Sequence, residues 1–254
     1  MPIDEHHADF VTAFARGLAV IRTFEHGADR LTLSQVAART NLTRGSARRF
    51  LLTLEALGYV TQDGNSFRLS PKVLDLGYSY LSSLPLWEKA QPFMKEIVDT
   101  IDESCSLGVL DEGEVVYIAR VPPRHIYTIH MQVGSRMPAY VNAMGRVLLA
   151  ALGDAELEDY FAALQPKKLT PRTITSVAEI RRIVNETRDK GYVITEDEVY
   201  EGRRSVAVPI RNREGQAIAS INISAMDSRA NRETFEKKFL PLLSNAAQQI
   251  GQSL

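Results

Sequence analysis

One cysteine, Cys105, stands in 254 residues. That excludes an internal disulfide framework and any cysteine-rich zinc site, and it suits a reducing cytoplasm. No apolar run approaches the roughly 18 residues that a membrane-spanning helix needs. The first ten residues, MPIDEHHADF, are acidic and do not read as a signal peptide. The sequence has no Gly-rich phosphate loop and no nucleophile elbow. His6, His7, His26 and His125 lack metal-ligand spacing with one another, so neither a metal nor a cofactor is expected. A formal charge of −1 selects no particular partner.

What is present is unevenly spread. A chain of 254 residues is comfortable for two domains at about 150 residues each. Between Phe10 and Pro71 stand eight arginines, no lysine and four carboxylates, a net +4, whereas residues 72–254 are net −2. A basic front segment on an acidic body is the asymmetry expected when only one domain meets a polyanion.

The front segment reads as three helices and a hairpin. In AFARGLAVIRTFEHG, Phe14, Leu18, Ile21 and Phe24 recur at helical spacing, and Gly27 is placed to end the helix. Thr32, with Gln35 three residues on, fits a capping box for a short helix that stops near Asn41. Thr43 is a natural N-cap for a third helix whose Ala47, Phe50, Leu51, Leu54 and Leu57 share one face, with Gly58 at its end. In YVTQDGNSFRL, two β-prone runs flank Asp63-Gly64, a hairpin signal.

That order is the order of a winged helix-turn-helix. Its third helix would bury the apolar stripe and present Thr43, Arg44, Ser46, Arg48 and Arg49 to the major groove of double-stranded operator DNA. Arginine's planar fork suits guanine edges and phosphate oxygens. Either Arg48 or Arg49 alone would read as a solvating charge; the whole element order favours DNA contact.

SPKVLDLGYSYLSSLPL follows, with Ser70 as N-cap, Pro71 at the first helical position and a helix ending before Pro85. Its apolar residues Val73, Leu74, Leu76, Tyr80, Leu81 and Leu84 exceed what one small domain covers, so part of it is expected to pack on a partner. The expected division is 10–70 for the DNA-binding domain, 71–86 for a linker helix and 87–254 for a second domain. That second domain opens with a helix from Trp87 to about Ile101. Two strands, SCSLGVLD and EVVYIARV, follow, then a third around Tyr127–Met131. Helices are expected at Asn142–Ala151, Asp154–Leu164 and Ser176–Lys190, then strands at YVITED, SVAVPIR and AIASINIS, and a closing helix from about Arg232 to Gln252. The fold class is α+β with an antiparallel sheet flanked by helices.

The residues then resemble the IclR family of bacterial transcriptional regulators over nearly the whole chain. ARGLAVIRTF, the helix-turn-helix and LEALGYV carry the front match. VGSRMPAYVNAMGRVLLAAL and KGYVITEDEVYEGRRSVAVPIRN with AIASINIS carry the second. LGYSYLSS, ESCSLGVLD and VVYIARV are similar to the subgroup governing aromatic-acid breakdown through protocatechuate and β-ketoadipate. The resemblance implies a ligand-responsive regulator that is not an enzyme, acting as a homodimer or dimer of dimers on a partly palindromic operator. Its C-terminal domain would be GAF-like and hold a small organic acid: protocatechuate, 4-hydroxybenzoate or β-ketoadipate. Operator DNA and the acid are the expected partners, with RNA polymerase a further one and no membrane.

Carried onto this sequence, the resemblance lines the effector site with the Asn142-Ala143-Met144 loop, Thr195 and Glu196, Ser205, Asn222 and Ser224. A helix start offers amide groups to a carboxylate, and Asn222 and Ser224, two apart on a strand, share a face. Ala143 stands where relatives are expected to carry glycine or serine, so no side-chain hydrogen bond is expected there. Arg146, Arg204 and His130 remain open between partners of a second carboxylate and structural residues. The run Thr195–Glu198 could be an acid/base pair or a hard-metal cluster; its loop position favours a solvated turn with one functional member. Cys105 reads as a core residue. Two rivals stay in view: a small-molecule enzyme with an appended DNA-binding domain, and a ligand-free DNA-binding scaffold.

Overall fold

The computed structural model describes residues 6–24, 29–125 and 131–254. The chain divides into two compact units, Met1–Ser83 and Leu84–Leu254.

In the first unit, α1 (Thr12–Arg22), α2 (Leu33–Thr40) and α3 (Arg44–Ala56) precede a hairpin of β2 (Val60–Asp63) and β3 (Ser66–Leu69). The capping box is present in full: Gln35 N donates to Thr32 Oγ1 at 3.4 Å, and Thr32 N donates to Gln35 Oε1 at 2.8 Å. Asn41 ends α2 in the left-handed region, φ 54°, a conformation its short polar side chain tolerates. A two-residue strand, β1 (Leu31–Thr32), adds to β3 and makes a three-stranded wing of order β1-β3-β2. It is too short to leave a pattern in the sequence. The hairpin turn sits one residue later than the Asp63-Gly64 signal suggests, because Asp63 pairs with Ser66 and Gly64, at φ +59°, takes the first central position.

Helix α1 departs from its apolar pattern. It stops at Arg22, capped by Thr23, and Gly27 lies outside the described residues. Phe14 and Leu18 are 68% and 43% exposed; Val20, Phe24, Leu31, Val36, Ala47, Leu51, Leu54, Val60 and Phe67 form the small core instead. Leu57, expected on the packing face of α3, is exposed because it falls past the helix end. After Ser70 the chain makes a 3-10 turn (Pro71–Val73) and then α4 (Leu74–Ser82), which has no buried residue.

The second unit begins at once with α5 (Pro85–Ile101), two residues ahead of expectation because Pro85 starts a helix at its first position rather than merely ending one. Six antiparallel strands follow in the spatial order β6-β5-β4-β9-β8-β7: β4 (Ser104–Asp111), β5 (Glu114–Val121), β6 (Arg136–Pro138), β7 (Val193–Glu196), β8 (Arg203–Arg211) and β9 (Ala217–Met226). Of the strand expected at 127–131, all but Met131 lies outside the described residues, and Met131 is not in a strand. The short edge strand is β6. Helices α6 (Ala143–Ala150), α7 (Asp154–Ala163) and α8 (Val177–Lys190) come between β6 and β7. The chain closes with α9 (Arg232–Thr234), a π-helical turn (Phe235–Phe239) and α10 (Leu240–Ser253).

Helix α6 packs on β4, β7, β8 and β9 and is backed by α8, while α5 and α10 pack together on the opposite face of the sheet. Every residue of α6 is buried, the charged Arg146 included, so the helix has no solvent-facing polar side. Its start is held close to the preceding turn (Ala139–Val141): a Cβ on Gly145 would lie 2.2 Å from Ala139 O. Only glycine fits there.

Candidate functional site

The exposed face of α3 is cationic. Thr43 caps the helix by accepting from Ser46 N at 3.2 Å, and its hydroxyl also donates to Ser46 Oγ at 3.0 Å. These two of the five expected DNA-contact residues therefore spend part of their hydrogen-bonding capacity on the helix itself. Arg44, Arg48 and Arg49 are exposed, and among the described residues none of them meets a carboxylate. Arg48 and Arg49 lie off the stripe of Ala47, Leu51 and Leu54, which is buried against α1 and α2, while Arg44 stands in the first turn.

The second unit holds a cleft between the sheet and the start of α6. Register builds its floor. Ser104 on β4 pairs with Ser224 on β9, Ser224 with Ser205 on β8, and Ser205 with Thr195 on β7. Four hydroxyl residues thus cross four strands in one row. In the next row Asn222 pairs with Ser106, and Ser106 with Arg120 on β5. The alternate residues Cys105, Leu107, Ile221 and Ile223, all 0% exposed, belong to the opposite face.

A β-bulge adds two larger side chains. Leu107 pairs with Ala119 but Gly108 pairs with Tyr117, leaving Ile118 unmatched. Tyr117 and Arg120, three apart, would otherwise point to opposite faces; the extra residue lets both line the cleft. Met131, Met137 and Val199 supply apolar wall, Tyr200 comes from the segment between β7 and β8, and Arg203 from the start of β8.

The floor is polar and organised. Ser205 Oγ donates to Ser224 Oγ at 2.8 Å, and Arg203 donates to Ser224 Oγ at 3.2 Å. Asn222 Oδ1 is enclosed without a hydrogen-bond partner among the described residues. An enclosed acceptor left so is costly and commonly marks where another molecule completes the pairing.

Several expected site residues need correction. Met144 is 0% exposed, and its side chain packs in the core, against Gly108, instead of lining the cleft. Only its backbone amide remains at the helix start. Asn142 borders the cleft, but its side chain is spent as the α6 cap: Gly145 N donates to Oδ1 at 2.8 Å and Nδ2 donates to Pro138 O at 3.0 Å. Glu196 lies away from the cleft, held by Arg204 at 3.0 Å and Arg232 at 2.9 Å. Strand alternation explains it: Thr195 faces the cleft, so its neighbour cannot. Thr195–Glu198 is not a solvated turn. Asp197 takes φ 59° and accepts from Gly202 N at 2.6 Å, while Glu198 is buried against Arg146. Arg146 and Arg204 both stand in ion pairs, Arg204 with Glu196 and with Asp227 at 3.3 Å. His130 lies outside the described residues.

The sequence reading did not single out Ser104, Ser106, Tyr117, Arg120 and Arg203, which line the cleft. Ser-Cys-Ser at 104–106 carried a signal, since two serines flanking a buried residue on a core strand must share a face. Nothing local marked Tyr117 and Arg120, because the bulge that aligns them is a property of pairing.

A basic reading helix with a wing, followed by an antiparallel-sheet unit enclosing a polar-floored cleft, defines a DNA-binding regulator with a compartment for a small molecule. The description "Bacterial transcriptional regulator IclR C-terminal" matches residues 78–252, and "IclR helix-turn-helix domain" matches residues 13–64. The chain belongs to the IclR family of bacterial transcriptional regulators, which are not enzymes. It is 39% identical over 247 residues to the Pca regulon regulatory protein of Pseudomonas putida, covering 97% of this chain and 85% of that protein. A crystal structure of a putative transcriptional regulator from Rhodococcus sp. RHA1 superposes with a TM-score of 0.89 at 46% identity, covering 96% of this chain and 98% of that one. An IclR homolog from Microbacterium hydrocarbonoxydans, crystallised with 4-hydroxybenzoate, superposes with a TM-score of 0.84 at 25% identity, covering 95% of this chain and 98% of that one.

Proposed function

We propose that this regulator governs catabolism of an aromatic acid and that the cleft on the sheet takes the acid, or its ring-opened dicarboxylate, as effector. The observation that carries this reading is the pairing of a hydroxyl and amide floor (Ser104, Ser106, Thr195, Ser205, Asn222, Ser224) with two arginines, Arg120 and Arg203, and a wall of Tyr117, Met131 and Met137. Arginines and a helix start at Ala143-Met144 suit a carboxylate; the floor suits ring hydroxyls; the wall suits a ring face. The 4-hydroxybenzoate carried by the Microbacterium homolog and the Pca regulon governed by the Pseudomonas relative support the same chemistry.

In this reading residues 10–70 bind DNA through Thr43, Arg44, Ser46, Arg48 and Arg49, residues 71–86 link, and residues 87–254 sense the effector. The regulator works in the cytoplasm as a homodimer or dimer of dimers, with operator DNA, the acid and RNA polymerase as partners. Calorimetric titration with 4-hydroxybenzoate, protocatechuate and β-ketoadipate is the test. Saturable binding of at least one acid, with a change in operator affinity, supports the reading; no binding of any of the three removes it.

A further inference from the structure

An acid-binding cleft is not expected to have a carboxylate residue at its edge, yet Glu198 borders both this cleft and the depression behind it that Arg146 and Ile174 line. Its charge is met from behind. Arg146 Nη1 and Nη2 each donate to one oxygen of Glu198 at 2.6 Å, a bidentate pair whose residues are 1% and 6% exposed. Arg146 Nε donates to Tyr140 O at 2.8 Å, and Ile174 N donates to Glu198 Oε2 at 3.3 Å. Thr173 Oγ1 donates to the Glu198 carbonyl at 2.6 Å. The pair therefore ties α6, the 170–174 turn and the segment between β7 and β8 together at the edge of the cleft.

Stability does not account for such a pair. Two desolvated charges commonly recover no more than their hydration, and an apolar pair of similar volume would hold these segments as well or better. A charge effect on whatever enters the cleft does account for it. Bare, Glu198 would repel an anion through a medium of low dielectric. Held in the guanidinium fork, it contributes little net field.

We propose that Arg146, which does not line the cleft, is a positioning and charge-neutralising residue for effector recognition, acting through Glu198 so that an organic anion is admitted beside it. This rests on the acid-effector reading above. Its distinguishing consequence is discrimination between an acid and its neutral isostere, not affinity alone.

The test titrates the full-length protein with 4-hydroxybenzoate and with 4-hydroxybenzamide, or with protocatechuate and its amide, and compares affinity ratios. Arg146→Met, titrated at alkaline pH so that the unpaired Glu198 carboxylate stays ionised, should lower the acid-to-amide ratio about tenfold or more, since that charge then faces the anion at close range. Adding Glu198→Gln to that variant should return the ratio to the wild-type value. Glu198→Gln alone should raise it, because Arg146 is then uncompensated, and this variant decides the matter if Arg146→Met does not fold. Equal losses for acid and amide in Arg146→Met, or an unchanged ratio in Glu198→Gln, would overturn the proposal while leaving the acid-effector reading standing. A wild-type protein that binds none of these acids would overturn both.

Discussion

Ser205 and Ser224 lie directly across from each other on β8 and β9, with their hydroxyls 2.8 Å apart. Each is also part of a longer row that runs from Thr195 to Ser104. The row runs across the middle of a sheet whose other face carries Ile221, Ile223 and Val206, and it lines the cleft.

Replacing Ser224 by alanine or Asn222 by leucine should leave an oxygen of a bound acid unpaired and cost about 1–3 kcal/mol of effector affinity, more where that oxygen is charged. Operator affinity without effector should hardly change, because the reading helix belongs to the other unit. Calorimetry with the three acids is the check, and equal affinities in wild type and both variants would place the effector elsewhere.

Arg48→Ala and Arg49→Ala should weaken operator binding and leave effector affinity intact, since both side chains are exposed and off the packing face of α3. An arginine reading a base through two hydrogen bonds should cost about 1–3 kcal/mol and relax preference at one base pair; a phosphate contact should instead reduce the salt slope by about one. Binding isotherms over a range of salt separate the two. Unchanged affinity in both variants would remove α3 as the reader.

Gly145→Ala should be strongly destabilising, by about 3 kcal/mol or more, because the new methyl would meet the Ala139 carbonyl at 2.2 Å and backbone cannot step aside cheaply. Gly77→Ala in α4, where nothing lies within 4 Å, should instead gain about 0.4–1 kcal/mol by reducing the freedom of the unfolded chain. Urea midpoints of the two variants should move in opposite directions.

Cys105 is fully buried on β4, and burial pushes its thiol well above the ordinary range, so it stays protonated and unreactive at neutral pH. Iodoacetamide should label it only after denaturant unfolds the second unit. Native-state labelling at the rate of an exposed thiol would show that β4 is not in the core.

Val11, Phe14 and Leu18 on and beside α1, with Leu74, Leu76, Tyr78 and Tyr80 on α4, are exposed in the single chain. That much apolar surface on two short helices fits burial between copies, and two copies would place two reading helices on half-sites about one DNA turn apart. Sedimentation at micromolar concentration should show a dimer or larger. A monomer with and without operator would remove the symmetric reading.

The local signals were legible because they are settled by nearest neighbours. The Thr32/Gln35 capping box, Thr43 as a cap, Asn41 and Gly58 as stops and Pro71 as a start all depend on backbone groups within one turn. The same holds for the arginine-bearing face of α3. Position along the chain was enough to read them, and the element order they spell is the one observed except for the two-residue β1. Phe14 and Leu18 mark the limit: helical spacing says which residues share a face, but not whether a single chain has anything to put against it.

The cleft needed the folded sheet. Asn222 and Ser224 follow from alternation, yet their neighbours Ser106 and Ser104 come from a strand more than a hundred residues away and Ser205 from the other arm of the β8–β9 hairpin, joined only by register. Glu196 and Glu198 are two apart in a polar run and look equivalent in sequence. Pairing of β7 with β8 turns Glu196 to the far side, and the left-handed turn at Asp197 then carries Glu198 back to Arg146, fifty-two positions earlier in the chain. Side-chain type decides what chemistry is available, and local backbone preference decides the elements. Which groups meet is decided by long-range pairing, whose geometry, down to the unmatched residue at Ile118, exists only once the strands are side by side.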